Sequence, residues 1–93
     1  MRRELVVTPK FKRAFSKFVR RDKKLLKSIE MTLEQMQEDI FSSSLNTHKL
    51  SGTLEGLRAC SCGYDCRIVF SLEQGADAEV IVLLDIGKHD QVY

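Results

Sequence analysis

The sequence has no long apolar segment. None of its apolar runs approaches the roughly 20 residues that are needed to cross a bilayer. The first ten residues, MRRELVVTPK, contain two arginines but lack the apolar stretch of about 7–15 residues that is typical of a secretory signal. We therefore expect no membrane association and a cytoplasmic location.

Cysteine is scarce and its spacing is unusual. The three cysteines all lie between residues 60 and 66, in the pattern C-x-C-x3-C. An odd number is poorly suited to a disulfide framework, and the paired C-x2-C hooks of a structural zinc site are missing. We expect reduced thiols that fill space in the core, with no metal and no cofactor.

Histidine is also rare. The chain contains no internal repeat, linker or low-complexity tract. Only two histidines occur in 93 residues. A chain of this length can bury one modest core. Its 43% hydrophobic and 30% charged residues are typical of a folded globular protein. We predict one domain that spans residues 1–93.

Charge is distributed unevenly along the chain. Residues 1–30 contain eleven Lys or Arg against three acids, a balance of +8. The other residues contain four bases against ten acids, a balance of −6. A basic region gains affinity for polyanions by releasing their counterions. This pattern favours contact with a nucleic acid, although a basic helix face can also serve solubility alone.

The apolar periodicity of the first half predicts two helices after a short strand over residues 3–8. Thr8 and Pro9 are typical of an N-cap and a first helical position. Apolar residues then recur at helical spacing up to residue 19, so the phenylalanines among them are expected in the core. Asp22 is a plausible N-cap for a second helix over residues 23–40, which would form an antiparallel hairpin with the first.

Three further strands are predicted in the second half, over residues 57–62, 65–72 and 79–86, with Gly63-Tyr64 as a tight connection. The last strand is apolar at every position from 80 to 84, so we expect it to be central and covered on both faces. The order β-α-α-β-β-β predicts an α+β fold. In it, a helical hairpin packs on one face of a small, mostly antiparallel sheet.

Strand alternation brings chemically useful side chains to the face away from the helices. Asp65 and Arg67 would share that face, and His48 and His89 could converge on one end of it. RNA cleavage by the ribose 2′-hydroxyl needs a base, an acid and a cation for the phosphate. Histidine suits both proton-transfer roles because its pKa is about 6.5, and the forked guanidinium of Arg67 suits a phosphate. A structural Asp–Arg ion pair would explain the same spacing.

Four segments of the chain resemble the RelE/ParE superfamily of bacterial toxins, and most closely its YafQ-type branch of messenger-RNA interferases. These segments are residues 48–52, 56–58, 63–70 and 86–93, the last reading IGKHDQVY. Together with the predicted order of elements, the resemblance covers nearly the whole chain. It implies a RelE-like fold.

The resemblance also implies an activity and partners. The expected protein is a toxin of a type II toxin–antitoxin system that cuts messenger RNA on the ribosome, without a metal, by attack of the 2′-hydroxyl on the adjacent phosphate. Its expected partners are a cognate antitoxin, ribosomal RNA and messenger RNA, with the toxin–antitoxin complex a higher oligomer. The implied catalytic residues are His48, Asp65, Arg67, His89 and Tyr93. Candidates for phosphate contacts are Arg58, Lys88, Lys49, Lys10 and Lys17.

The implied roles leave one choice open. His89 would exchange protons with either Asp65 or His48, Arg67 would hold the phosphate, and Tyr93 would stack on or orient a base. The family pattern has a further histidine where this chain has Ser61.

Two other functions fit parts of the sequence. One is a ParE-like toxin that shares the fold, lacks nuclease residues and inhibits DNA gyrase by binding. The other is a nucleic-acid-binding module that acts through its basic helices. The two histidines and Asp65 favour the nuclease, because a protein that only binds has no need of them.

Overall fold

One mixed sheet and two helices make up the residues that the computed structural model describes, 2–88 and 92. The elements are β1 (Glu4–Val7), α1 (Pro9–Phe18), α2 (Lys23–Glu38), β2 (His48–Lys49), β3 (Arg58–Gly63), β4 (Cys66–Gln74) and β5 (Glu79–Gly87). Short 3-10 turns cover Ser43–Leu45 and Gly52–Leu54. The predicted order is confirmed, with the two-residue strand β2 as an addition.

Both helices begin where the sequence predicts. The Thr8 hydroxyl accepts a hydrogen bond from the Phe11 N–H at 3.2 Å, and Asp22 Oδ1 accepts one from the Leu25 N–H at 2.9 Å. The second helix ends two residues before the predicted position 40. Asp39 is extended there, and its carboxylate accepts a hydrogen bond from the Phe41 N–H, which replaces the next helical turn.

The sheet has the strand order β1-β5-β4-β3-β2, and only the β1–β5 pair is parallel. The prediction that the last strand is central is confirmed, because β5 pairs with β1 on one side and β4 on the other. The prediction that both of its faces are covered is wrong. Ile81 and Leu83 are buried, whereas Val80 and Val82 on the other face are only half-buried because both helices pack on the same side.

The connection between β3 and β4 differs from the predicted Gly63-Tyr64 turn. Ser61 pairs with Arg67 and Gly63 pairs with Cys66, which leaves Cys62 as an extra residue in a β-bulge. The turn is therefore Tyr64 and Asp65. Gly63 has φ +153°, in a region that favours glycine, so the bulge shifts the turn by one residue.

The core lies between the helices and the sheet. Phe70, Ile68 and Cys60 of the sheet are fully buried against Ile29 and Met36 of α2. In α1, Phe11 is buried, and the phenylalanines at 15 and 18 are partly buried against the same cluster. The predicted core roles of the apolar helical residues and of alternate β4 residues are therefore confirmed. No helix among residues 2–88 is long and apolar enough to span a bilayer.

Thr8 joins the first helix to the central strand. Besides capping α1, its hydroxyl donates a hydrogen bond to the Leu83 carbonyl at 2.7 Å. We expect Thr8→Ala to lower the free energy of unfolding by about 1–2 kcal/mol, since it removes a cap and a part-buried hydrogen bond. Urea denaturation measures the change. Ser16→Ala is the control, because the Ser16 hydroxyl is exposed and bonds only within its own helix. An equal loss in both variants would contradict this role for Thr8.

Candidate functional site

Arg67 lies at the end of the sheet where three strands meet. It pairs with Ser61 of β3 and with Gly87 of β5, and it is half-buried. Its Nη1 donates to the carbonyl oxygens of Cys66 at 2.8 Å and Gly63 at 3.4 Å. Within residues 2–88, no carboxylate lies within 4.0 Å of the guanidinium. Main-chain dipoles therefore hold this cation in position without neutralising its charge.

Asp65 and Lys88 flank Arg67 at the same end of the sheet. Asp65 lies in the turn before β4, and Lys88 follows β5, so both are exposed. They border a cleft of about 660 Å³ that also includes Lys17 and Phe18 of α1. We expected Asp65 on the strand face that carries Arg67. Because β4 begins one residue later than predicted, Asp65 instead borders a cleft on the helix side.

His48 lies on the edge strand β2. It pairs with Ala59, which in turn pairs with Val69, and this row lies on the face away from the helices because the alternate residues form the core. Strands β2 and β4 are two strand spacings apart, roughly 10 Å, so His48 and Arg67 do not touch but flank a common surface.

A main-chain contact determines the tautomer of His48. Its Nδ1 lies 2.9 Å from the Asn46 carbonyl oxygen. A carbonyl can only accept, so Nδ1 carries a proton in this contact. Asn46 has φ 51°, a left-handed conformation that asparagine tolerates. The loop before β2 thus orients the His48 ring.

The other predicted phosphate contacts lie away from Arg67. Lys49 pairs with Arg58 at the β2 edge. The Arg58 guanidinium carbon lies 5.5 Å from the centre of the Phe41 ring, a cation–π contact. Lys10 of α1 lies 3.6 Å from a carboxylate oxygen of Asp85 on β5. The structure therefore does not bring these three cations to the end of the sheet.

Two predicted catalytic residues, His89 and Tyr93, lie outside the described residues. Val92 is described. It is buried, and its N–H donates to the Lys88 carbonyl at 3.2 Å. This bond anchors the backbone of Lys88 beside the cleft.

The cysteines correct one prediction. Cys62 and Cys66 form a disulfide, so the expectation that all three thiols are reduced is wrong for this pair. The bulge explains the difference, because it brings the two Cα atoms to 5.0 Å across the turn, which a sequence pattern does not reveal. Cys60 is a free, fully buried thiol, as expected. Among residues 2–88 and 92, no group of three or more potential ligands could hold a metal ion.

Sequence reasoning missed three residues that shape this surface. Asn46 orients His48, Asp85 contacts Lys10, and Tyr64 stands fully exposed at the tip of the β3–β4 turn. A loop asparagine before a strand is a recognisable turn signal, so Asn46 could have been proposed. The other two depend on the register of β4 and β5, which no local pattern provides.

The sequence matches a family model over residues 3–93. That model describes the bacterial toxin of type II toxin–antitoxin systems, YafQ. No curated protein sequence matches the chain.

Solved structures share the fold at low sequence identity. A YoeB/ParE toxin from Agrobacterium tumefaciens is similar with a TM-score of 0.76 and 15% identity, over 92% of this chain and 98% of the toxin. YafQ from E. coli strain BL21(DE3) is similar with a TM-score of 0.71 and 18% identity, over 98% of each chain. A chain of the E. coli DinJ-YafQ toxin-antitoxin complex has a TM-score of 0.69 and 17% identity, over 100% of this chain and 99% of that one. These likenesses confirm the predicted RelE-like α+β fold.

Cys60 should make stability depend on alkaline pH. Burial raises the pKa of its thiol to about 12 from an ordinary 9.0, and the charge of Arg67 lowers it in part. A folded-state pKa above the unfolded value gives stability that is complete below the unfolded pKa. The free energy of unfolding should therefore fall as pH rises from about 9 towards 12, by up to about 1.4 kcal/mol per pH unit.

Cys60→Ala separates this effect from the titration of other groups. The difference in unfolding free energy between wild type and variant should shrink as pH rises, because only wild type ionises Cys60 on unfolding. Guanidinium titrations across this pH range measure it. A constant difference at every pH would contradict the buried, neutral thiol.

The disulfide should stabilise the turn that carries Asp65. By the chain-entropy argument, a bridge that closes so short a loop contributes about 2 kcal/mol to the free energy of unfolding. A reductant should therefore lower the urea midpoint of wild type and leave that of Cys62→Ala/Cys66→Ala unchanged. An equal response of both proteins to reductant would contradict the bridge.

Proposed function

Because the chain belongs to the YafQ family of toxins from bacterial type II toxin–antitoxin systems, we propose that it is a messenger-RNA endoribonuclease that acts on the ribosome without a metal. Residues 1–93 would act as a single toxin domain. The observation that carries this proposal is Arg67, a half-buried guanidinium anchored by two carbonyl oxygens and, within residues 2–88, out of reach of any carboxylate. Such a group suits a phosphodiester, which it can bind through two parallel hydrogen bonds.

The reaction needs one proton removed and one proton supplied. A base takes the proton of the ribose 2′-hydroxyl, the oxygen attacks the adjacent phosphorus, and the bond from phosphorus to the 5′-oxygen breaks. An acid then protonates that oxygen, which leaves a 2′,3′-cyclic phosphate and a 5′-hydroxyl. Arg67 would stabilise the extra negative charge that develops on the phosphate oxygens.

The tautomer of His48 supports its role as the base. Its Nδ1 donates to Asn46, so Nε2 is the atom that can accept the 2′-hydroxyl proton. Asp65 is the alternative base, and it lies at the same end of the sheet as Arg67. With His48 or Asp65 as the base, His89, which follows Lys88 in sequence, would be the acid, and the family resemblance implies base contact by Tyr93.

The proposed partners follow from charge and from open strand edges. The basic N-terminal region suits ribosomal RNA, and Lys10, Lys17, Lys49, Arg58 and Lys88 would contact its phosphates or those of the message. Strands β1 and β2 form the two edges of the sheet, which a segment of an acidic antitoxin could extend or cover. The E. coli DinJ-YafQ complex supports a cognate antitoxin as partner. We propose a higher oligomer for that complex and the cytoplasm as the site of action.

Cleavage in a translating extract tests the proposal. Wild-type protein should generate new messenger 5′ ends within open reading frames, carrying hydroxyl groups, and only while ribosomes translate the message. His48→Gln, Arg67→Ala and His89→Ala should each reduce cleavage roughly 100-fold or more, since each removes a proton-transfer group or the phosphate cation. Asp65→Asn should do the same if Asp65 is the base.

Asp77→Asn is the matched control for Asp65→Asn, because Asp77 is an exposed acid in the turn at the other end of β4. It should cleave like wild type. Unchanged 5′ ends with wild-type protein, together with loss of supercoiling in a gyrase assay, would replace the nuclease by the gyrase-inhibitor function. Full cleavage by His48→Gln would exclude His48 as the base and leave that role to Asp65.

A further inference from the structure

A second surface, on the helix side of the sheet end that carries Arg67, has the features of a nucleotide-binding subsite. The cleft between α1, the start of α2 and the β3–β4 turn has a volume of about 660 Å³. This lies within the range of about 300–1,000 Å³ that is usual for small-ligand pockets. Its floor is apolar, formed by Ala14, Phe18, Leu25 and Ile86. A floor of this kind fits the flat face of a base.

Tyr64 stands at the mouth of this cleft. Its relative exposure is 102%, the highest among the exposed large apolar residues in the described part of the chain, so it contributes nothing to the core. Tight turns between strands favour Asn, Gly and Asp, so turn geometry does not require a tyrosine there. An exposed aromatic ring next to an apolar floor suits stacking on an unpaired base.

Charge at the rim is of the kind that binds a nucleic-acid backbone. Lys17 of α1 and Lys88 after β5 both line the cleft, and both are exposed. Two carboxylates, Asp22 and Asp65, also line it. Asp22 already caps α2 through Oδ1. Lys17 could bind a phosphate of a nucleotide whose base occupies the floor.

The cleft and Arg67 lie on opposite faces of the sheet but at the same end of it. Cys66 lines the cleft, and its carbonyl oxygen accepts a hydrogen bond from Arg67 Nη1 at 2.8 Å, while Lys88 directly follows Gly87, the partner of Arg67 in the sheet. A strand whose phosphate binds Arg67 would reach the cleft by passing round this end of the sheet with a neighbouring nucleotide. We propose that this cleft binds one unpaired RNA nucleotide next to the cleaved phosphate, with the base against Tyr64 and Phe18 and the backbone at Lys17. This inference rests on the proposed function, since it assumes an RNA substrate at Arg67.

Binding of a substrate that cannot be cleaved tests the subsite separately from catalysis. A fluorescein-labelled tetraribonucleotide with 2′-O-methyl groups lacks the attacking hydroxyl, and fluorescence anisotropy reports its binding to the full chain. Tyr64→Ala should weaken binding roughly 5- to 100-fold, the usual effect of removing one base–aromatic stack. Tyr64→Phe should bind like wild type. Met31→Ala is the control, because Met31 is 61% exposed on α2 and lies outside the cleft.

The salt dependence of binding tests the backbone contact. Lys17→Ala should reduce the slope of log affinity against log salt concentration by about 0.7, the contribution of one phosphate contact in a single strand. Lys27→Ala, an exposed lysine outside the cleft, should leave the slope unchanged. Amide chemical shifts of Ala14, Phe18 and Asp65 should move on titration with the oligonucleotide.

Two results would overturn the subsite. One is equal binding by wild type and Tyr64→Ala, and the other is a titration in which amides near His48 move while those of the cleft do not. Neither result concerns cleavage, so the endoribonuclease proposal would stand. Conversely, a protein that failed to cleave messages but bound the oligonucleotide through Tyr64 would retain the subsite without the proposed activity.

Discussion

The parallel pairing of β1 with β5 is the constraint on which the rest of the structure depends. Two parallel strands cannot be joined by a tight turn, so the chain between them must cross over the sheet. Here the chain between them first forms both helices, which cover one face. It then forms β2 at the far edge of the sheet and returns through β3 and β4 to β5. The other face carries no helix among the described residues, although Ala59, Val69 and Ser71 on it are buried. This division decides which residues of each strand are core and which are free to contact a substrate.

Alternation along β4 places Arg67 on the face away from the helices. Ile68 and Phe70 point to the helices and are fully buried, so Arg67 must point the other way. Its anchors are the carbonyl oxygens of Gly63 and Cys66 on either side of the turn, and among residues 2–88 no carboxylate lies within 4.0 Å to offset its charge. An acidic partner would have given similar order at the cost of that charge. His48 is likewise oriented by a main-chain group, the carbonyl of Asn46.

Much of the fold could be predicted from the sequence because it depends on local signals. Thr8 and Asp22 are side-chain caps, and the helix and strand periods identify the buried residues. The details that were missed depend on contacts between distant segments. Strand β2 has only two residues and exists because β3 lies beside it, and the Cys62–Cys66 bridge follows from a bulge in the pairing of β3 with β4.

The candidate site was predictable in composition but less so in arrangement. Residue types chemically suited to RNA cleavage were visible in the second half of the chain, and family resemblance added their roles. Their grouping was not visible, because Asp65 lies in a turn whose position depends on the same bulge. Arg58 likewise lies over the Phe41 ring, away from Arg67, through a contact between residues seventeen positions apart.

The strand ladders that carry His48 and Arg67 differ in length. Eight residue pairs join β4 to β5, whereas two join β2 to β3. Short ladders at a sheet edge open at much lower free energy than long central ones, so amide exchange there is fast. Arg67 therefore lies at one end of the long ladder between the inner strands β4 and β5, whereas His48 lies on the short edge ladder. If Arg67 binds a phosphate as proposed, the short β2 ladder would let the His48 imidazole adjust its position to the substrate.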